Sequence, residues 1–233
     1  MSQVAVIPAR GGSKRIPKKN IKLFHGRPII AYAIENCFET QLFAKVIVST
    51  DDDSIAKIAE THGAEVYFRQ KRETSSDIAP VINVVQELIN AQSLEEKTYS
   101  VCCVFPCTPL LSSEFLVQGY EILLNNDVDF VFPVYNPGIS IERSLFINQK
   151  GYVQLSNKEF ANSPTNTLTD HLFDTGQYYW ARTKTWLSSE SILGAKNIPQ
   201  IISKLSVVDI DDEDDWRLAE ILFSTDREGE KGV

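Results

Sequence analysis

Val4-Ala5-Val6-Ile7-Pro8-Ala9-Arg10-Gly11-Gly12-Ser13-Lys14-Arg15-Ile16-Pro17-Lys18-Lys19-Asn20-Ile21-Lys22 is the stretch from which the fold reads outward. Four apolar residues suited to a buried strand run into a proline and then a glycine pair. A glycine-containing turn after a first strand can aim backbone N–H groups at an anion. From Arg10 to Lys22 there are six basic residues and no acidic one, in a chain of formal net charge -8. That local excess of cations suits a polyphosphate, with nucleotide phosphates as the first candidate. The loop lacks the Gly-Lys-Ser/Thr of a P-loop and is not the G-x-G-x-x-G of dinucleotide binders.

Outward from this loop, strand-like and helix-like patterns alternate. Gln3–Pro8, Val46–Ser49, Glu65–Phe68, Tyr99–Phe105 and Phe130–Val134 read as strands. Pro28–Phe38 and Asp52–His62 read as helices, the second ended by Gly63. Ser76 or Asp77 is expected to cap a helix running to about Ala91, and Ser112 or Ser113 one running to about Asn125. This rhythm predicts an α/β fold: a mostly parallel sheet with helices on both faces. It breaks between Tyr135 and Thr175, where Pro137-Gly138, Gly151 and Ser163-Pro164 punctuate short apolar runs, the pattern of an inserted excursion of hairpins and loops. It resumes with strands at Gln177–Ala181 and Lys204–Val208 and a helix at Asp212–Leu222. Residues 1–225 are therefore expected to form one domain carrying an insertion over about 135–175, with a frayed tail over 226–233.

The 233 residues are 43% hydrophobic and 23% charged, ordinary for a globular enzyme. The acidic balance argues against nucleic acid as a partner. No apolar run approaches the ~20 residues a membrane helix needs, so no membrane association is expected. Cys102, Cys103 and Cys107 lie in or just after an apolar strand, and no metal-spaced histidine accompanies them or Cys37. Buried, reduced thiols and a cytoplasmic location are the expectation.

Three more stretches carry candidate chemistry. Asp209-Ile210-Asp211-Asp212-Glu213-Asp214-Asp215 has six carboxylates in seven residues. In an extended segment Asp209 and Asp211 point to one side and suit Mg²⁺ shared with substrate phosphates. The same acids suit a helix start, with Asp211 as N-cap, and the two readings are compatible. Ser49-Thr50-Asp51-Asp52-Asp53 ends a strand, where open α/β sheets bind ligands, though Thr50 or Asp51 also suits a helix cap. Asp174-Thr175-Gly176-Gln177-Tyr178-Tyr179-Trp180 offers polar and aromatic groups of the kind that hold sugars, while Trp180 reads as core.

Taken together, Ile7 to Ile21, Val48 to Asp52, Arg69, Ser76-Asp77 and Asp209-Ile210-Asp211 resemble, in order, the CMP-sialic acid synthetase (acylneuraminate cytidylyltransferase) family. The stretch Asp174 to Trp180 is similar to the D-x-G-Q-F-Y-W segment of its pseudaminic acid branch, and Ile141-Glu142-Arg143-Ser144-Leu145 is similar to that branch's I-Q-R-A-L. Phe105-Pro106-Cys107-Thr108-Pro109 stands where neuraminate enzymes have Q-P-T-S-P, and so lacks their sugar-contacting glutamine. The resemblance implies a nucleotide-diphospho-sugar transferase fold, a homodimer, and the reaction of CTP with a nonulosonic acid, with Mg²⁺ as cofactor. It implies Ala9, Arg10, Gly11, Gly12, Ser13, Lys14, Lys19, Asn20, Arg69 and Ser76 as nucleotide-binding residues. It implies Arg10, Lys19 and Asp211 as catalytic, Asp209 and Asp211 as metal ligands, and Asp174, Gln177, Tyr179 and Arg143 as sugar contacts, Arg143 across the dimer interface.

Overall fold

The computed structural model describes residues 2–69, 79–96, 98–193 and 196–230, without the side chains of 165 and 226–230. The N-terminal run forms strand β1 (Ser2–Pro8). Its alternation decides the layering: Val4 and Val6 pack into one buried cluster and Ala5 and Ile7 into another, on opposite faces. Two short strands, β2 (Leu23–Phe24) and β3 (Arg27–Pro28), close a hairpin. The chain then runs through α1 (Ile29–Glu39), β4 (Phe43–Thr50), α2 (Asp53–Thr61) and β5 (Glu65–Phe68). It continues through α3 (Val81–Ala91), β6 (Thr98–Val104), α4 (Ser113–Asn125) and β7 (Phe130–Tyr135). The excursion holds one hairpin, β8 (Leu145–Ile147) with β9 (Val153–Leu155). β10 (Phe173–Asp174), β11 (Tyr178–Arg182), α5 (Thr183–Ser188), β12 (Ile198–Ile201) and α6 (Glu213–Glu230) follow.

Among the described residues the main sheet runs β10-β7-β11-β6-β1-β4-β5, with β12 also on β7. β1 pairs parallel with β4 and β6, and β4 with β5. β11 is antiparallel to both β6 and β7, and short β10 is antiparallel to β7, so two reversed strands, one internal and one at the edge, join a mostly parallel sheet. Because β11 runs backwards, its first residues lie at the same sheet edge as the last residues of β1, β4 and β6. One face is covered by α1, α2 and α4, through residues such as Ile30, Ile55 and Leu116. The other is covered by α3 and α5, through Val85, Leu88 and Trp186. A third cluster joins α6 to the first loop and hairpin: Ile16, Phe24, Ile29, Tyr32, Ile210, Trp216 and Phe223.

Several sequence expectations are corrected. Lys204–Val208 is not a strand: Lys204–Ser206 is a 3-10 turn, because the Ser203 hydroxyl accepts the N–H of Leu205 at 3.2 Å. The strand is Ile198–Ile201 instead, containing Pro199, which only a sheet edge tolerates. α3 begins at Val81 after Pro80; Ser76 and Asp77, expected as its cap, lie outside the described residues. The cap of α2 is Asp52, which accepts from the backbone N–H groups of Ser54 and Ile55, rather than Thr50 or Asp51. The cap of α6 is Asp212 rather than Asp211, and the helix, expected over Asp212–Leu222, runs on to Glu230. All four cysteines are buried and none is in a disulfide. Among the described residues no helix is long and apolar enough to cross a membrane.

Candidate active site

A cavity of about 270 Å³ opens where the sheet delivers its strand ends. β1 ends at Pro8 and leads to Arg10, β6 leads to Phe105, Pro106 and Cys107, and β5 leads to Arg69. Gly176, just before the reversed strand β11, completes that edge. The basic loop adds Ser13, Lys14, Arg15, Ile16, Lys19 and Asn20, and Asp209, Ile210 and Asp211 close the opposite wall. This position, beyond the carboxyl ends of the central parallel strands, is where open α/β sheets hold ligands.

The loop is pinned from several sides. Ala9 donates its N–H to the Ser49 carbonyl at 2.9 Å, and Gly11 donates to Asp51 Oδ1 at 2.9 Å. A Cβ at Gly11 would come within 2.5 Å of Asp52 Oδ2 and 2.9 Å of Asp52 Cβ, so only glycine lets the loop approach the capped start of α2. Asn20 Nδ2 donates to the Arg10 carbonyl at 2.8 Å, and buried Ile16 anchors the loop beneath α6. Arg69 donates to the Ser49 hydroxyl at 3.1 Å and carbonyl at 2.8 Å, and burial lowers the pKa of its guanidinium.

The acidic wall meets the basic loop directly. Lys19 Nζ donates to the Ile210 carbonyl at 2.6 Å and lies 3.8 Å from Asp211 Oδ1, and Arg15 Nη2 is 2.7 Å from the same oxygen. Asp215 Oδ2 accepts the N–H groups of Asp211 at 2.9 Å and Asp212 at 3.1 Å, tying this segment to the first turn of α6. The Asp209 carboxyl is raised above the usual carboxylate range. Partial loss of water is the main cause, with the like charges of Asp211 and Asp215 adding to it and Lys19 and Arg15 opposing. A raised, crowded carboxylate beside a second one is a donor pair that a hard divalent cation relieves, and both face the cavity. Among the described residues no group of three or more metal-ready side chains forms, so a cation here would complete its shell from substrate and water.

The expected residues therefore divide. Arg10, Ser13, Lys14, Lys19, Asn20, Arg69, Asp209 and Asp211 line one cavity, whereas Ala9, Gly11 and Gly12 stand behind it as loop backbone. Asp174, Gln177 and Tyr179 do not line it; they brace its edge. Asp174 accepts from the Gly176 N–H at 2.9 Å and from the Tyr179 hydroxyl, and Gln177 Nε2 donates to the Ser206 carbonyl at 2.7 Å. These bonds hold Gly176 at φ +62°, a left-handed conformation that favours glycine, with Asp209 opposite. Arg143 sits on the excursion, exposed, and does not line this cavity. Sequence reasoning missed Arg15 as a partner of Asp211, Cys107 as a wall residue, and Asp51 as the anchor of Gly11. The adjacency of Arg15 to Lys14 was a signal for the first, Cys107 stood in the Phe105–Pro109 stretch set against Q-P-T-S-P, and Asp51 stood in the strand-end stretch Ser49–Asp53.

The cytidylyltransferase family model matches residues 4–197. The chain belongs to the cytidylyltransferase family. It is 34% identical over 229 residues to the pseudaminic acid cytidylyltransferase of Campylobacter jejuni subsp. jejuni serotype O:2, covering 98% of this chain and 99% of that one. It is 28% identical to the CMP-N,N'-diacetyllegionaminic acid synthase of Legionella pneumophila subsp. pneumophila, covering 98% and 99%. Among solved structures it resembles CMP:2-keto-3-deoxy-manno-octonic acid synthetase complexed with CTP, with a TM-score of 0.71 at 14% identity over 97% of this chain and all of that one. A 4-diphosphocytidyl-2C-methyl-D-erythritol synthase follows with a TM-score of 0.67 at 14% identity, covering 95% and 97%. Both share the fold, which is the nucleotide-sugar transferase type that the family resemblance implied. The sequence-level resemblance to sugar-acid cytidylyltransferases is likewise met.

Proposed function

We propose that this cytidylyltransferase transfers CMP from CTP to pseudaminic acid, releasing pyrophosphate. The reading rests on the meeting, in one cavity, of a cationic strand-one loop and the Asp209/Asp211 pair, with Lys19 Nζ 3.8 Å from Asp211. The 34% identity to a pseudaminic acid cytidylyltransferase over nearly the full length of both chains supports the choice of sugar.

In this reading the anomeric hydroxyl attacks the α-phosphorus of CTP in line, and pyrophosphate leaves with its oxygens against Arg10, Lys14 and Lys19. Those cations act where charge builds in the transition state, in a site whose dipoles are already oriented. Lys19 does this from a fixed position, tethered by the Ile210 carbonyl. When bound, Mg²⁺ held by Asp209 and Asp211 would supply Lewis-acid polarisation of phosphate and hydroxyl oxygens. Arg69 and the apolar wall of Ala79, Val81 and Val84 suit the nucleoside end of CTP. Asp174, Gln177 and Tyr179 shape the sugar end through the Gly176 turn.

The working unit in this reading is a homodimer. The excursion exposes Ile139, Leu145, Ile147, Tyr152 and Val153, each more than 60% accessible, an apolar face suited to a second copy. Arg143 on that excursion would then reach the partner's sugar site and meet the substrate carboxylate. A cytoplasmic setting is part of the same reading, supported by four unpaired, buried cysteines.

The test is to incubate the protein with CTP and Mg²⁺ and, separately, pseudaminic, legionaminic and N-acetylneuraminic acids, reading products by mass. CMP-pseudaminic acid with sugar-dependent pyrophosphate release is the expected result. Product only from another sugar overturns the substrate, and pyrophosphate from none overturns the reaction.

A further inference from the structure

Cys107 lies in the turn that follows β6, on the wall of the cavity. Its thiol donates to Asn20 Oδ1 at 3.1 Å. The same amide, through Nδ2, donates to the Arg10 main-chain carbonyl at 2.8 Å. That second bond fixes which way the amide faces: its nitrogen must point to Arg10, so its oxygen must point to the thiol. Both members are nearly sealed from water, Asn20 at 6% and Cys107 at 9% accessible. An amide oxygen buried to that degree needs a donor, and Cys107 supplies one. Burial pushes the thiol's pKa up to about 12, with Asp209 adding to the effect and Lys19 opposing it, so the donor proton is retained at any ordinary working pH.

We propose that Cys107 is a positioning residue for the phosphate-binding loop: its S–H orients Asn20, and Asn20 holds the main chain of Arg10 so that the guanidinium enters the cavity in one orientation. This deepens the proposed function and rests on it for the role of Arg10. The relay adds a directional link between the turn after β6 and the loop after β1. A purely structural role competes with it, because Cys107 also packs in the cluster of Ile16, Ile210 and Trp216.

The two roles separate, because serine and valine each keep one property of the thiol. Cys107→Ser keeps a donor and gives up apolar bulk. Cys107→Val keeps apolar bulk and gives up the donor. If the relay operates, the Ser variant retains CTP affinity close to that of the parent. The Val variant then weakens it roughly ten-fold, the scale of one buried acceptor left unpaired, and kcat falls with it, because the displaced Arg10 also acts in the transition state. Cys107→Ala, which cannot overpack the site, should follow the Val variant and guards against misfolding of the latter. CTP affinity is measured by calorimetry without sugar, beside steady-state pyrophosphate release and melting temperature. Ser and Val variants equal in CTP affinity, or Val the better binder, overturn the relay. A parent protein that binds CTP but yields no CMP-sugar overturns the functional reading, while the Ser-over-Val ranking in affinity still judges Cys107.

Discussion

The cavity and the excursion over 136–172 satisfy their side chains in opposite ways. Around the cavity the polar groups are tied across the sequence: Gly11 to Asp51, Asn20 to Arg10, Lys19 to Ile210, and Asp211 to Asp215. In the excursion β8 is exposed at every residue, with Ile147 at 73%, and no residue of that stretch enters the three core clusters. The cavity is thus walled by residues of this one chain. The excursion has local hydrogen bonds and exposed apolar side chains, which is what the proposed homodimer requires of it.

The largest test of that contrast is in the cavity. Arg10→Ala or Asp211→Ala should lower turnover on the order of 10²-fold or more, like other losses of an electrostatic contact made in the transition state. Pyrophosphate release measures it, and sedimentation should find the assembly state unchanged. Near-normal turnover in either variant would remove these residues from the chemistry. A smaller effect is expected from the excursion. Arg143→Ala should cost roughly ten-fold, the scale of one charge-assisted contact. In the proposed homodimer, mixing subunits of the impaired Arg143→Ala and Asp211→Ala variants should raise turnover to about a quarter of the parental value, because half the dimers would be mixed and each would carry one intact site. Additive residual activity on mixing would place Arg143 in its own protomer's site or outside any site.

The smallest effect concerns stability. Asp209 has a pKa above its value in an unfolded chain, so the native state holds that proton more tightly. The ionised carboxylate therefore weakens the fold as pH rises through that range. Asp209→Asn should raise the melting temperature in cation-free buffer at neutral pH while lowering turnover. A melting temperature that does not rise would show that the carboxylate is not crowded as described.

Much of this was legible from local pattern. Glu65–Phe68 and the Ser112-capped helix to Asn125 stand where alternation and capping put them. The strand Ile198–Ile201 was hidden by Pro199, whose missing N–H matters only inside a sheet and not at its edge. The reversal of β11 was not legible at all, because strand direction depends on which partners a strand meets and not on its own alternation. The cavity was half legible: charge and glycine marked the basic loop, and spacing marked Asp209 and Asp211. The bracing role of Asp174, Gln177 and Tyr179, and the contact of Asp51 with Gly11, depend on residues brought together only by the sheet.

The bond from Lys19 to the Ile210 carbonyl spans 191 positions. A ribosome adding about 5–20 residues per second needs on the order of 10–40 s to pass from one to the other. Through that interval the emerging chain carries its cationic loop without the wall that faces it. Only when Trp216 and Phe223 have docked on Phe24 is the acidic segment seated. A nascent chain arrested before α6 therefore lacks the packing that seats Asp209 and Asp211 opposite the loop.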